Sequence, residues 1–495
     1  RGFDPVGPCQ APLPLQVLLQ GPYDVGTGLM LTGLNSNSVI PNDQPFNVWP
    51  WFYAGTETLP SPLPPEVVDW VLLELRETET TPGTILVAGL LYEDGTVTAN
   101  FEGVDQLTSY YIVVHHRNHL PVMSASAVSL SAYTFPYDFT VLTNVYSNGA
   151  ILLDDTPDPD VYGMIAGDVT HNGMLKYSGA DNDRGPIIAL IVANTGSPLL
   201  NGVTHGYYFE DVNMNYEVRY VGGGNDRDDI IANIIEMTGQ PWLNLTYTTP
   251  VPGAYYTSKD GNSNDGPLHL AIREAGDWIE LVLQTGETIK NGFIDNIQFT
   301  LAWNEGDMEI AKMVDGAQSA YDISAQGDGF VYEEKRHIVF VGVTPVYLPQ
   351  TFLPGDEVVV MRLPGTTDMQ IGGRLLIAED EMTEEMNGLY YVSVCGTNMT
   401  GYVKSTELGM EELNAGSVSI YPNPVSDGTL NVLLPESTGE ELQVTLTGMQ
   451  GQTVLKQETR STGRMQLDVS ELESGVYLLN IRGVSTVHNS RVVIR

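Results

Sequence analysis

Residues 167–188 read GDVTHNGMLKYSGADNDRGPII, and residues 210–231 read EDVNMNYEVRYVGGGNDRDDII. Asp168, Thr170 and Asn172 in the first copy align with Asp211, Asn213 and Asn215 in the second. Side-chain oxygens at alternate positions of a tight loop converge on one point, which is how a chain wraps a hard cation such as Ca²⁺. An EF-hand loop closes with a bidentate Glu at its twelfth position. Counting from Asp168 and Asp211, that position holds Gly179 and Gly222. Acids return at a shared later offset, at Asp183 and Asp226. The expected ligands are therefore Asp168, Thr170, Asn172 and Asp183 with the Met174 carbonyl, and Asp211, Asn213, Asn215 and Asp226 with the Glu217 carbonyl. So many neutral oxygens imply modest affinity, a Kd of roughly 10⁻⁴–10⁻³ M. Asn182 and Asn225 read as helix caps. The competing reading is a pair of Asx-turns ahead of helices, with no metal. A third stretch, KDGNSNDG, repeats the spacing at Asp260, Asn262 and Asn264 without a closing acid, and reads as a turn.

Other reactive side chains are less suggestive. In the tract His115-His116-Arg117-Asn118-His119, a strand would put His115, Arg117 and His119 on one face. The Arg repels a metal and no carboxylate is supplied nearby, so the tract reads as a polar strand end against Tyr110 and Tyr111. Trp49-Pro50-Trp51-Phe52-Tyr53 could stack on sugars, but core or subunit contact is the stronger reading. GxSxG, HExxH, P-loop and GxGxxG motifs are missing, and Gly222-Gly223-Gly224 belongs to the second oxygen-rich loop. The expectation is a protein that is not an enzyme. Cys9 and Cys395 are the only cysteines, and pairing, free thiols and bridges between chains all stay open.

These loops must sit in a scaffold of several domains, since 495 residues exceed one ordinary core. Lys and Arg total 22 against 62 Asp and Glu, a net charge of −40, which would repel nucleic acid and anionic membrane. No apolar run reaches the roughly 18 residues that span a bilayer. The start at Arg1 is read as a processed mature form. The 51 Gly and 30 Pro favour short strands joined by turns. Residues 1–14 read as an arm, and 15–143 as a β-sandwich with strands such as 67–76, 84–92 and 110–116. Residues 160–238 hold the loops, each leading into a short helix with an isoleucine stripe: Ile187, Ile188, Leu190 and Ile191, then Ile230, Ile231, Ile234 and Ile235. Residues 241–404 read as a second sandwich, 405–416 as a linker and 417–495 as a small β unit. The fold class is mainly β, a multi-domain chain of β-sandwiches with a small α-helical calcium-binding module.

Four resemblances bear on this layout. The segment SVSIYPNPVSDGTLNVLL, with Gly448, Gly451 and Leu472 through Gly475-Val476-Tyr477, resembles the type A sorting domain of Bacteroidota type IX secretion substrates. That implies passage through the periplasm, contact with the type IX machinery, and an extracellular or outer-surface location. The duplicated module resembles dockerin repeats, departing at Tyr216 where the pattern wants Gly and in its longer loop. Residues 241–404 are similar to cohesin-like sandwiches at Gly276-Asp277-Trp278 and Gly355-Asp356-Glu357. Residues 15–143 resemble a module of Bacteroidota surface proteins, through Leu19-Gln20-Gly21-Pro22-Tyr23-Asp24, Val68-Asp69-Trp70 and His116-Arg117-Asn118-His119-Leu120. The expected function is a non-catalytic, calcium-stabilised surface protein in adhesion or structure. Its sharper form is head-to-tail self-association into a filament. The alternatives are a carbohydrate-binding or enzyme-accessory protein, or the anchoring tail of a larger precursor.

Overall fold

The computed structural model describes residues 11–12, 14–101, 104, 108–130, 137–196, 200–254, 266–289, 292–348, 351–365 and 374–404. Further on it describes 419–421, 425, 429–433, 441–448, 453–460, 464–470, 472, 475–482 and 487–494. Cys9, the Asp260–Asn264 stretch, residues 405–416, Pro422, Asn423, Pro424 and Gly451 lie outside the described residues. The fold is mainly β, with several sheets and five short α-helices among the described residues. Residues up to 365 and from 376 to 404 belong to one compact unit, and 419–494 to another.

In the first unit, residues 15–138 build one eight-stranded sheet, not the two facing sheets expected. Its centre runs Ser109–His115, Val67–Arg76, Ile85–Tyr92. Residues 31–66 explain the difference, because they hold repeated Pro, Asn and Gly and cover the sheet as loops carrying Leu34, Phe46, Trp51 and Leu59. All ten residues of Val67–Arg76 are therefore buried, as in a strand covered on both faces. Asp69, Glu74 and Arg76 are buried with it and need partners. Of the arm, Ala11–Pro12 pairs with Asn100–Phe101 of its own chain.

The two loops lead into the helices Arg184–Thr195 and Asp226–Thr238. Asn182 accepts from the Gly185 amide at 2.9 Å and Asn225 from Asp228 at 3.2 Å, so both asparagines cap as expected. Each helix ends on a left-handed glycine, Gly196 at φ +60° and Gly239 at φ +70°. Ile187, Ile188 and Ile191 share one core with Ile230 and Ile234, whereas Ile235 is exposed. The same core takes the matched pairs Val169 and Val212, Leu175 and Val218, Tyr177 and Tyr220. It also takes Leu120 and Phe293 from the neighbouring sheets. The loops do not pair with each other: Met174–Lys176 pairs with Thr246–Thr248, and Glu217–Arg219 with Val203–His205.

Residues 266–404 form two sheets. One is four-stranded, in the order Glu357–Pro364, Trp278–Thr285, Leu268–Ala275, Thr400–Lys404. The other centres on Phe293–Asn304, flanked by Lys335–Gly342 and Tyr391–Val394. The C-terminal unit has a three-stranded sheet (Ser419–Tyr421, Thr429–Leu433, Arg464–Asp468) and a four-stranded one (Thr453–Arg460, Glu441–Gly448, Gly475–Arg482, Val487–Ile494). Its core alternates along the strands, with Leu430 and Val432, Val444 and Leu446, Leu479 and Ile481, Val492 and Ile494 buried.

Candidate metal centre

The two loops share one hydrogen-bond scheme. Asp168 accepts from the amides of Asn172 and Gly173, each at 3.0 Å. Asp211 accepts from Asn215 at 3.0 Å and Tyr216 at 2.9 Å. Asn172 accepts from Met174 at 2.9 Å, and Asn215 from Glu217 at 2.8 Å. The closing acids reach back across each loop. Asp183 accepts from Thr170 at 3.0 Å and Lys176 at 2.9 Å, and Asp226 from Val212 at 2.8 Å and Arg219 at 2.7 Å. Asn213 joins at its own amide, 3.5 Å from Asp226, and its side chain donates to the Gly224 carbonyl at 3.0 Å. Gly173 and Tyr216 turn the chain at matching φ values of +77° and +79°. A tyrosine is strained there, and Tyr216 compensates by packing on the first sheet's core and near the His205 ring.

Asp168, Asp183, Asp211 and Asp226 are all buried. Among the described residues, none of the four makes an ion pair with a lysine, arginine or histidine. Two like charges in one dry loop raise each other's pKa. Burial and then the Asp183 charge push Asp168 well above the carboxylate range, and burial raises Asp183 too. In the second loop burial lifts Asp211 to about 6 and Asp226 to about 8. A divalent cation would relieve this arrangement. Each loop brings only two acids, and no group of three or more His, Cys, Asp or Glu able to hold a metal occurs among the described residues. The other donors are neutral oxygens, which suits an oxygen-seeking ion and not zinc. The Glu217 side chain is engaged with Arg219 and His205, leaving only its carbonyl for the loop.

Different sheets clamp the two loops. The tract His115–His119 is wholly buried; His115 and His116 meet the carboxylates of Glu74 and Asp69, while Arg117 and Asn118 reach the second loop. Arg117 bonds Asp69 at 2.8 Å, lies 4.5 Å from the Tyr207 ring centre, and donates to the Tyr208 carbonyl. Asn118 donates to the Asp211 carbonyl at 2.7 Å and to Phe209 at 3.1 Å. Burial pushes the Asp69 carboxyl up, but Arg117 and His116 outweigh it and hold it at about 2. Glu74 is likewise held at about 2 by His115 and Arg76 against its burial. Gly21 completes the clamp, since a Cβ there would stand 2.4 Å from the Val212 carbonyl oxygen. Gly21→Ala is expected to lower stability by about 2 kcal/mol through overpacking. Urea denaturation of the full chain checks this, and an unchanged midpoint would contradict the close approach.

The first loop belongs to the second pair of sheets. The Ser178 hydroxyl lies 2.8 Å from the Leu243 carbonyl and 2.7 Å from the Gln298 side-chain oxygen, its one proton serving either. Asn387 donates to the Ser178 carbonyl at 3.1 Å. Arg184, fully buried, donates to the carbonyls of Asp295 at 2.9 Å and Val343 at 3.2 Å and to the Tyr220 hydroxyl at 2.5 Å. Its counterpart Arg227 is partly exposed over the Tyr220 ring. Residues Val221 to Gly224 are exposed where Ser178 and Gly179 are buried. Of the aromatic cluster, Trp51 packs 5.2 Å from the His171 ring, while Phe52 is 68% exposed. Cys395 is a half-buried free thiol.

No curated protein matches the chain. Among solved structures, a Bacteroides vulgatus DUF3244 family protein with an immunoglobulin-like β-sandwich fold is 14% identical over 15% of this chain and 80% of its own, with a TM-score of 0.14. A Faecalibacterium prausnitzii β-glucuronidase is 12% identical over 45% of this chain and 38% of its own, with a TM-score of 0.15. The BSP domain of a biofilm-associated protein is 9% identical over 86% of this chain and 75% of its own, with a TM-score of 0.14. Among the described residues no helix is long and apolar enough to cross a membrane. Residues 419–495 match the secretion system C-terminal sorting domain, so this chain is a type IX secretion substrate, exported to the cell surface or beyond it.

Proposed function

We propose that the duplicated loops are paired Ca²⁺ sites that brace two β units of an exported, non-catalytic surface protein into one stiff body with a structural or adhesive role. Asp168, Thr170, Asn172, Asp183 and the Met174 carbonyl would hold one ion. Asp211, Asn213, Asn215, Asp226 and the Glu217 carbonyl would hold the other. The observation that carries the reading is that the loops are held from both sides: residues 117–118 hold the second loop and the lead into the first, and residues 298 and 387 hold the far end of the first. A cation in each loop removes the repulsion between its acids and thereby fixes both junctions. The non-catalytic part is supported by how the buried polar side chains are used. Asp69, Glu74, His115, His116 and Arg117 are spent on one another beneath the loops.

The test is a Ca²⁺ titration of the full chain by calorimetry, with unfolding followed in Ca²⁺ and in chelator. Two sites are expected, each adding about 2.7 kcal/mol at a hundredfold excess over Kd. Identical midpoints in Ca²⁺ and chelator would remove the brace. A head-to-tail filament is the finer form of this reading. The module meets the second pair of sheets within its own chain, so a filament would need a different face. Light scattering at high concentration with Ca²⁺ distinguishes assembly from monomer.

A further inference from the structure

We infer that Asn118 is the positioning residue that sets both loops and couples their two cation sites, an inference that rests on the metal reading above. Asn118 lies in the first sheet's tract yet touches the start of each loop. Its backbone carbonyl accepts from the amide of Gly167, the residue before Asp168, at 2.9 Å. Its side-chain amide donates to the carbonyl of Asp211, the first residue of the second loop, at 2.7 Å. The same amide reaches Phe209 at 3.1 Å. Asn118 is fully buried, so these carbonyls have no solvent to turn to when the donor is lost.

The orientation of the amide is itself fixed. His119 accepts from the Gly21 amide through Nε2 at 3.1 Å, which leaves the proton on Nδ1. Nδ1 stands 2.8 Å from Asn118 Oδ1 and 3.0 Å from His116 Nδ1, and the carbonyls of Phe209 and Asp211 face the other end of the amide, so Nδ2 must point to them. A second bridge runs parallel. Gln20 accepts from the Ala166 amide at 2.9 Å and exchanges two hydrogen bonds of 2.8 Å with Asn233 on the second loop's helix. Asn233 also donates to the Ala166 carbonyl at 2.8 Å. Ordering either loop therefore orders the lead into the other. A cation bound at one site lowers the ordering cost at the second, which is positive coupling.

The experiment compares the full chain with Asn118→Ala in a two-site Ca²⁺ isotherm and in amide exchange under chelator. The variant is expected to weaken the second site about tenfold or more, because two buried carbonyls lose their donor. Coupling between sites is expected to fall with it. Exchange at Gly167, Asn215 and Tyr216 is expected to speed up without metal. Ser124→Ala is the control: it is as deeply buried in the same sheet, so it tests stability loss alone and is expected to leave both affinities unchanged. Asn118→Ser, which keeps a hydroxyl donor, replaces the Ala variant should that one not fold, with a smaller shift in the same direction. Unchanged affinities and unchanged exchange in a folded variant overturn the inference. A wild-type chain that takes up no Ca²⁺ overturns the metal reading and the coupling, while faster exchange in the variant still upholds the positioning.

Discussion

Arg184→Ala is expected to cost more than about 3 kcal/mol of stability, while Arg227→Ala, the same position in the second copy, costs about 0.5–1 kcal/mol. The two arginines follow the same Asn-Asp pair, yet their surroundings differ. Arg184 is fully buried, and its guanidinium serves the carbonyls of Asp295, Val343 and Tyr177 and the Tyr220 hydroxyl. Deleting it leaves several buried acceptors without donors and opens a cavity between the module and the sheet of Phe293–Asn304. Arg184→Lys keeps the charge but its compact ammonium cannot span all four partners, so most of the loss is expected to persist. Arg227 bonds Asp228 at 3.3 Å and rests over Tyr220, 4.6 Å from the ring centre, with 28% of its side chain exposed. Urea denaturation in saturating Ca²⁺ measures both variants. Equal losses would show that the first loop is not seated on the second pair of sheets.

That divergence also explains what could be read from sequence. The loops were legible because alternating oxygens, a shared insertion and closing acids recur together, and chance rarely repeats all three. The isoleucine stripes and asparagine caps followed from local spacing alone. The clamps were not legible, because each joins residues far apart in the chain. The run Val67–Arg76 held the missing signal: Asp69 and Glu74 sit in an otherwise apolar strand, and buried carboxylates need donors. The tract His115–Arg117 supplies them, so the two segments were complementary before any contact was known. Copy two looks like copy one in sequence, but buried Gly185 becomes exposed Asp228. Ala189 keeps its type at Ala232, yet the first is half-buried and the second exposed. Gly396 lies against the backbone at Gly185 and Ala189, where a carboxylate in place of Gly185 would meet a carbonyl oxygen. One copy is therefore built to dock and the other to face water. The single large sheet at 15–138 stayed hidden because five of its eight strands are two or three residues long, too short to carry a period.

The sign of the pH dependence is expected to differ between metal-free and Ca²⁺-loaded protein. In the metal-free chain the loop acids have raised folded pKa values, so the folded state binds more protons than the unfolded chain. Their contribution is fully present below the unfolded value near 3.9 and is lost as pH rises through the folded values. Asp226, at about 8, and Asp211, at about 6, place that loss across neutral pH. Asp168 and Asp183 titrate as a pair and shift in the same direction. Between pH 8.5 and 6.5 the metal-free protein should gain about 2 kcal/mol from Asp226 alone as pH falls. With Ca²⁺ bound, the acids stay ionised and this slope vanishes. Below about 6.5 a second set of groups takes over. Burial holds His119 well below its usual value and lowers His116 despite Asp69, so both are neutral in the fold. Depressed values contribute stability above the unfolded pKa, and that stability is lost as pH falls. Asp69 and Glu74, at about 2, give way only between roughly pH 4 and 2. Calorimetric midpoints at pH 8.5, 7.5 and 6.5, with and without Ca²⁺, separate these effects. A midpoint that drops with acidification in chelator would contradict the paired burial of the loop acids. Parallel slopes in the two series would mean that neither loop takes up the ion.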